Sequence, residues 1–154
     1  MWKIILHYQE YPVSRKTRST ETTSLRPVID IGIPGKTKVK AIIDSGADRS
    51  ISFVEVGTNI FGIDFSKDPL FPHTVSGLHS CSKNDCEFHP GNLKQYERSI
   101  EFYVDKFPVI LNIIWINRRM NPERDFPILL GRDFFNFFDI LFKQAQEIIE
   151  LYPK

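Results

Sequence analysis

The sequence contains little cysteine, almost no net charge and no long uninterrupted apolar run. Its two cysteines among 154 residues disfavour a disulfide-built secreted domain and predict reduced thiols. The net charge of +1 gives no electrostatic reason to expect nucleic acid or an anionic membrane as a partner. The longest apolar run, residues 107–116, includes Pro108 and Asn112 and is too short to cross a bilayer. Residues 1–6 are too short for the apolar core of a signal peptide, so a soluble cytoplasmic protein is expected.

Short strand-like segments recur along the chain. "RPVIDIGI" and "KVKAIID" alternate with period two around Pro34 and Gly35, which predicts a hairpin. Residues 96–105 and 107–116 predict a second pair of strands, and residues 139–142 and 147–152 predict a closing hairpin on which Glu150 faces solvent. The polar segment 14–24 is predicted to be a loop. With one short helix predicted for "RDFFNFF", the pattern indicates an all-β, barrel-like domain.

Phenylalanine is abundant, and it clusters near the C-terminus. The chain has 13 phenylalanines, several of them in "DFFNFFDILF" at residues 133–142. In a single domain of this length, such a density predicts a tight core, a subunit interface, or both.

The stretch "AIIDSGADRS", residues 41–50, ends a predicted buried strand on the carboxylate of Asp44. A carboxylate in that position is costly unless it is hydrogen-bonded. The Gly46 N–H could reach it, Ser45 offers a hydroxyl, and Ala47 leaves room beside it. These features fit an acid that does chemistry on a bulky substrate. The alternative is a simple strand–turn in which Asp44 caps the turn through its own side chain.

A second stretch, "PILLGRDFF" at residues 127–135, also ends an apolar strand at a glycine and a polar residue. If the two strand ends lie side by side, Arg132 could pair with Asp48 and hold the acid loop in place. The alternative is that Arg132 is a surface residue at the start of a helix.

Together, "RPVIDIGIPGKTKVKAIIDSGADRS" and "PILLGRDFF" resemble the retropepsin-like aspartic proteases, in particular their single-domain, non-viral relatives. The resemblance implies a closed, homodimeric β-barrel at residues 26–154, after an N-terminal strand and polar loop at residues 1–25. It implies a catalytic loop, residues that stabilise it, and a flap over the substrate. The implied residues are Asp44, Ser45 and Gly46 for catalysis, Ala47, Asp48, Gly131 and Arg132 for loop stability, and Ser76, Gly77 and Leu78 for the flap.

The chemistry implied by this resemblance is peptide hydrolysis by a water held between two carboxylates. The chain has a single Asp-Ser-Gly, so a twofold dimer would supply the second acid by symmetry. The two acids would share one proton, which predicts a bell-shaped pH–rate profile with an acidic optimum. A polypeptide substrate and a second copy of the chain are the expected partners, and no cofactor is expected.

The predicted flap region also contains His79, Cys81, Cys86 and His89. These residues could bind zinc, or the two cysteines could form a disulfide, but the spacing is not the usual Cys-x-x-Cys and no metal is predicted. Two alternative functions therefore stay open. One is a catalytically silent dimer that binds peptides, and the other is a zinc-stabilised interaction module.

Asp64 is predicted to be a turn residue rather than an acid with a chemical role. A Ser/His/Asp triad drawn from Ser45, His73 and Asp44 is disfavoured, because Ser45 lacks the Gly-x-Ser-x-Gly elbow.

Overall fold

The computed structural model describes residues 2–13, 22–72, 93–122 and 125–154, and these are mostly β-strand. The strands are β1 (Ile4–His7), β2 (Gln9–Val13), β3 (Thr22–Arg26), β4 (Val28–Gly32), β5 (Val39–Ile43), β6 (Ile51–Phe53), β7 (Phe71–Pro72), β8 (Lys94–Val104), β9 (Phe107–Ile116), β10 (Ile128–Leu130), β11 (Phe138–Lys143) and β12 (Ile148–Pro153). The helices are α1 (Val54–Asn59) and two 3-10 helices (Arg132–Asn136 and Gln144–Gln146). None of these helices is long and apolar enough to cross a membrane.

Six strands close into a barrel in the order β4, β5, β10, β6, β9 and β8. The barrel closes where β8 pairs with β4, with Ile31 opposite Val104 and Gly32 opposite Tyr103. The strand β7 pairs with the opposite end of β8. The expected closed β-barrel and the β4–β5 hairpin are confirmed.

Two parallel contacts in the barrel join segments that are far apart in the chain. The strand β10 runs parallel to β5, and β6 runs parallel to β9. Since neighbouring parallel strands end at the same edge, the residues that follow β5 and β10 lie beside each other. This arrangement brings the two sequence stretches of interest to one end of the barrel.

The barrel core is rich in aromatic side chains. Phe102, Phe134 and Phe138 are fully buried, with ring centroids 6.4 Å apart for the first pair and 5.1 Å apart for the second. Trp115 is also fully buried, and its indole N–H donates to the carbonyl of Arg98 at 3.0 Å. The phenylalanine-rich C-terminal segment therefore contributes to the core. Its part in a subunit interface stays a prediction.

A second sheet combines the two ends of the described chain, in the order β1, β12 and β11. One face of it is buried through Ile4, Ile149 and Leu151. The other face carries Glu150, which is only 3% exposed, so the expectation that it faces solvent is wrong. Alternation along β12 does direct this side chain outward, but Lys3, directly before β1, and Lys143 of β11 cover it from both sides.

Two further expectations need correction. Residues 22–24, predicted to be a loop, belong to β3, which pairs with β2 through Ser24 opposite Tyr11 and Thr22 opposite Val13. Threonine favours strands, and β2 supplies the partner that the local sequence does not reveal. The short C-terminal helix is present, but it is a 3-10 helix at Arg132–Asn136.

Candidate active site

Asp44 directly follows β5 at the end of the barrel. The last residue of β5, Ile43, lies opposite Leu130 of β10. The Asp44 N–H donates to the Leu130 carbonyl at 2.9 Å, which extends the ladder between the two strands by one hydrogen bond. The two strand ends therefore lie side by side, and Asp44 is half-buried where they meet.

The Asp44 carboxylate is oriented by the small residues that follow it. Its Oδ1 accepts a hydrogen bond from the Gly46 N–H at 2.8 Å. A Cβ at Gly46 would lie only 3.2 Å from this oxygen, so glycine allows the close approach. In the described part of the chain, Oδ2 has no hydrogen-bonding partner. This geometry agrees with both sequence interpretations, a chemical site and a capped turn.

Arg132 forms an ion pair with Asp48, which places the two predicted residues together. Their side chains are 63% and 76% exposed, so the pair contributes little to the stability of one chain. A main-chain contact supports the same loop, because the Arg132 N–H donates to the Ala47 carbonyl at 2.7 Å. Ser45 and Gly46 lie at the exposed tip of the loop.

Gly131 is required by close packing between two backbone segments. A Cβ at this position would lie 2.6 Å from the carbonyl group of Arg49 and 2.8 Å from the carbonyl oxygen of Ala47. Its φ of −88° is accessible to any residue. The constraint at Gly131 is therefore steric, and it presses the end of β10 against the loop that carries Asp44.

Sequence reasoning missed a partly buried link between these segments, formed by the buried Ser50 and the half-buried Asp133. The Ser50 hydroxyl donates to Asp133 Oδ1 at 2.6 Å and accepts from the Gly131 N–H at 2.9 Å. The Ser50 N–H donates to Asp133 Oδ2 at 2.9 Å. Asp133 stands directly after Arg132, in the first turn of the 3-10 helix, where acidic residues are favoured. This position in the sequence could have indicated a role for Asp133, but nothing in the sequence around Ser50 indicated one for that residue.

Asp64 forms a similar local turn in a different part of the molecule. Its Oδ1 accepts from the Ser66 N–H at 2.9 Å. This backbone hydrogen bond, with a smaller contribution from Arg98, lowers the pKa of Asp64 below its usual value. The prediction that Asp64 is a turn residue is confirmed.

The predicted flap residues and metal ligands lie outside the described residues. These are Ser76, Gly77 and Leu78 for the flap, and His79, Cys81, Cys86 and His89 for the metal. The strands that flank this segment, β7 and β8, pair through Phe71 with Gln95 and Pro72 with Lys94. Among the described residues, no group of three or more histidines, cysteines and carboxylates could hold a metal ion.

Solved structures of a protease and of a protease-like domain share this arrangement of strands. The retropepsin-like aspartic protease from Rickettsia conorii aligns over 97% of this chain and 90% of its own, with a TM-score of 0.53 and 13% identity. The retroviral protease-like domain of Ddi1 from Leishmania major aligns over 84% of this chain and 94% of its own, with a TM-score of 0.51 and 11% identity. The chain has the retropepsin-like fold.

At these identities the likeness concerns the fold alone. No protein-family model matches the sequence, and no curated protein matches it significantly. Within its retropepsin-like barrel, Asp44 follows β5 and Gly131 follows the parallel neighbour β10.

Proposed function

We propose that the protein is an aspartic endopeptidase that acts as a homodimer, with one Asp44 from each subunit. The proposal rests on the hydrogen bonding of the Asp44 carboxylate at the end of a retropepsin-like barrel. One of its oxygens is fixed by the Gly46 N–H, and the other has no partner in the described part of the chain. An acid that is oriented but not saturated has an oxygen left for water.

Peptide hydrolysis at such a site needs two acids around one water molecule. One carboxylate takes a proton from the water as it attacks, and the other donates a hydrogen bond to the scissile carbonyl. The chain contains one Asp-Ser-Gly, so the second acid comes from a second copy. Two carboxyl groups held close together are not both ionised, because their negative charges would repel. The two Asp44 side chains of the dimer would therefore share one proton.

The surface around Asp44 has the character that such a dimer needs. Ser45 and Gly46 are exposed at the tip of the loop, and the Arg132–Asp48 ion pair beside them is also exposed. A twofold contact at this loop would bring the two Asp44 side chains together. It would also remove the ion pair from water, where its attraction is weak.

The proposed substrate is an extended polypeptide. A peptide bound along such a cleft would form strand-like hydrogen bonds with the protein. The predicted flap residues Ser76, Gly77 and Leu78 would cover it and exclude water. This mechanism requires no metal or cofactor, and it involves neither nucleic acid nor a membrane.

The test compares wild type with Asp44→Asn in a peptide-library digest at several pH values. Asp64→Asn is the matched control, because Asp64 caps its turn through the same contact to a backbone N–H two residues ahead. Asparagine preserves both turns but removes the acid. We expect wild type and Asp64→Asn to cleave peptides with a bell-shaped, acid-side pH profile, and Asp44→Asn to cleave them at least about 10²-fold more slowly.

Three results would contradict the proposal. Cleavage by Asp44→Asn at the wild-type rate would show that another group does the chemistry. A rate that stays constant through the acidic range would exclude a pair sharing a proton. Binding of peptides without cleavage by the wild type would instead support a catalytically silent peptide-binding dimer.

A further inference from the structure

We infer that Ser50 and Asp133 are positioning residues for Asp44. Neither side chain hydrogen-bonds to Asp44 itself, and their effect passes through the main chain of Leu130 and Gly131. The inference rests on the proposed function, because it concerns the placement of the acid that would activate water.

One backbone contact fixes the main chain of Asp44. Its N–H is bound by the Leu130 carbonyl at 2.9 Å, so the location of Leu130 sets where Asp44 begins its turn. Leu130 is the last residue of β10, and Gly131 follows it directly. Any shift of Gly131 therefore moves the carbonyl that holds Asp44.

Several hydrogen bonds fix the position of Gly131. Its N–H donates to the hydroxyl of Ser50, which is fully buried. The Asp133 carboxylate holds this hydroxyl from the other side, and it also accepts the N–H groups of Ser50 and Phe134, each at 2.9 Å. Removing a member of this partly buried set leaves polar groups unpaired, which costs more than the loss of an exposed contact.

The exposed Arg132–Asp48 pair cannot take over from this link in holding the loop of a single chain, since water weakens the pair. Close packing at Gly131 makes the partly buried link sensitive to small changes. The backbone of Arg49 is already at the limit of contact there, so Gly131 cannot move toward it. Loss of the Ser50 hydroxyl would release Gly131 away from this contact, and Leu130 and Asp44 would follow.

The experiment compares Ser50→Ala with Ser52→Ala. Ser52 is a matched control because it lies two residues further along the same segment and is also fully buried. Its hydroxyl donates to the Pro127 carbonyl at 2.6 Å, before β10 begins. Each substitution deletes one buried hydroxyl, but only Ser50→Ala breaks the link to Gly131.

Two quantities are measured, peptide-cleavage kinetics and amide hydrogen exchange of Asp44 and Arg132. For Ser50→Ala we expect kcat to fall about 10- to 100-fold with KM changed by less than about threefold, because misplaced catalytic groups cost rate more than affinity. We expect the two amides to exchange about tenfold faster, as one hydrogen bond is lost behind them. Ser52→Ala should change neither quantity, and Ser50→Thr, which keeps the hydroxyl, should restore both.

Equal effects of Ser50→Ala and Ser52→Ala on kcat and on exchange would overturn the inference, because they would indicate a purely structural role for both serines. If Ser50→Ala does not fold, Asp133→Asn replaces it, since an amide nitrogen cannot accept the Ser50 N–H. A wild type without protease activity would refute the proposed function instead. The hydrogen-exchange data alone would then test the positioning role. Unchanged protection of the Asp44 amide in Ser50→Ala would overturn it.

Discussion

Asp44, at the end of the barrel, and Glu150, on the three-stranded sheet, are both acids, but their hydrogen-bonding partners differ. Glu150 lies on the outer face of the three-stranded sheet and accepts from the Lys3 ammonium at 2.7 Å, the Lys143 ammonium at 2.9 Å and the Tyr152 hydroxyl at 2.6 Å. Asp44 lies at the end of the barrel and accepts one backbone N–H. Both carboxylate oxygens of Glu150 accept hydrogen bonds, whereas one oxygen of Asp44 has no hydrogen-bonding partner among the described residues.

The difference separates a structural acid from one that is available for chemistry. The hydrogen bond from Lys3, followed by those from Tyr152 and Lys143, lowers the pKa of Glu150 from its ordinary 4.5 to about 2. Such an acid stays ionised and ties β1 and β11 to β12. An acid that must exchange protons with water and substrate cannot be surrounded in this way.

The largest expected effect is that substitution of Asp44 lowers activity without lowering stability, whereas substitution of Glu150 lowers stability without lowering activity. Asp44→Asn should lower kcat/KM by about 10²- to 10⁴-fold, the range attributable to an acid–base group, and leave the thermal midpoint unchanged. Glu150→Gln should lower the midpoint, because two lysines lose their counter-charge, and leave the activity of the folded protein unchanged. Peptide-cleavage assays and calorimetry on both variants measure the two effects. If Glu150→Gln abolished activity in the folded protein, the division of roles would be wrong.

Backbone packing behind Asp44 gives the next effect. Gly131→Ala should destabilise the protein by about 1–3 kcal/mol, the usual cost of overpacking, because the new Cβ meets the Arg49 carbonyl group. Gly32→Ala is the control, since its Cβ would meet only the Tyr103 side chain and carbonyl at ordinary distances of 3.6 and 3.7 Å. Denaturant unfolding of both variants measures the difference. Equal stabilities would show that the tight contact at Gly131 can relax.

The pH dependence of stability tests the Glu150 side of the comparison. Since the folded pKa lies below the unfolded value, Glu150 contributes stability above about pH 4.5, and this contribution is lost as the pH falls toward 2. Other carboxylates titrate in the same window, so the informative quantity is the difference between wild type and Glu150→Gln. That difference should shrink from pH 6 to about pH 2. A constant difference would mean that the charge on Glu150 does not stabilise the sheet.

The smallest effect concerns the exposed pair beside Asp44. Asp48→Asn should change the unfolding free energy of the monomer by no more than about 1 kcal/mol, because both side chains are mostly in water. In the proposed dimer the same change should weaken association, which sedimentation at several protein concentrations can measure. A large loss of monomer stability would show that the pair holds the loop before any second copy binds.

Period-two alternation and turn chemistry were sufficient to predict much of the barrel. The β4–β5 hairpin followed from alternating isoleucines around Pro34 and Gly35, and the long β8–β9 pair was predicted from the adjacent segments 96–105 and 107–116. The helix after Gly131 was predictable in place but not in type, because five residues are too few for a period to separate a 3-10 helix from an α-helix.

Contacts between distant segments could not be predicted from local pattern. Ser50 and Asp133 are 83 positions apart, and Lys3 and Glu150 are 147 apart. Glu150 lies at an outward position of β12, which is all that alternation predicts. Its burial depends on Lys3, directly before β1, and Lys143, at the end of β11, which both contact it. The proximity of Asp48 and Arg132 was predicted only by supposing that β5 and β10 end side by side.

The most direct test of a shared site is to mix wild type with Asp44→Asn, allow the subunits to exchange, and measure cleavage at a fixed wild-type concentration. With random pairing, an equal amount of the variant should lower the activity to about one half, and a ninefold excess should lower it to about one tenth, because mixed dimers have one acid. Asp64→Asn added in the same amounts should not lower it. Activity that is unchanged by excess Asp44→Asn, with exchange shown independently, would contradict a site built from two copies of Asp44.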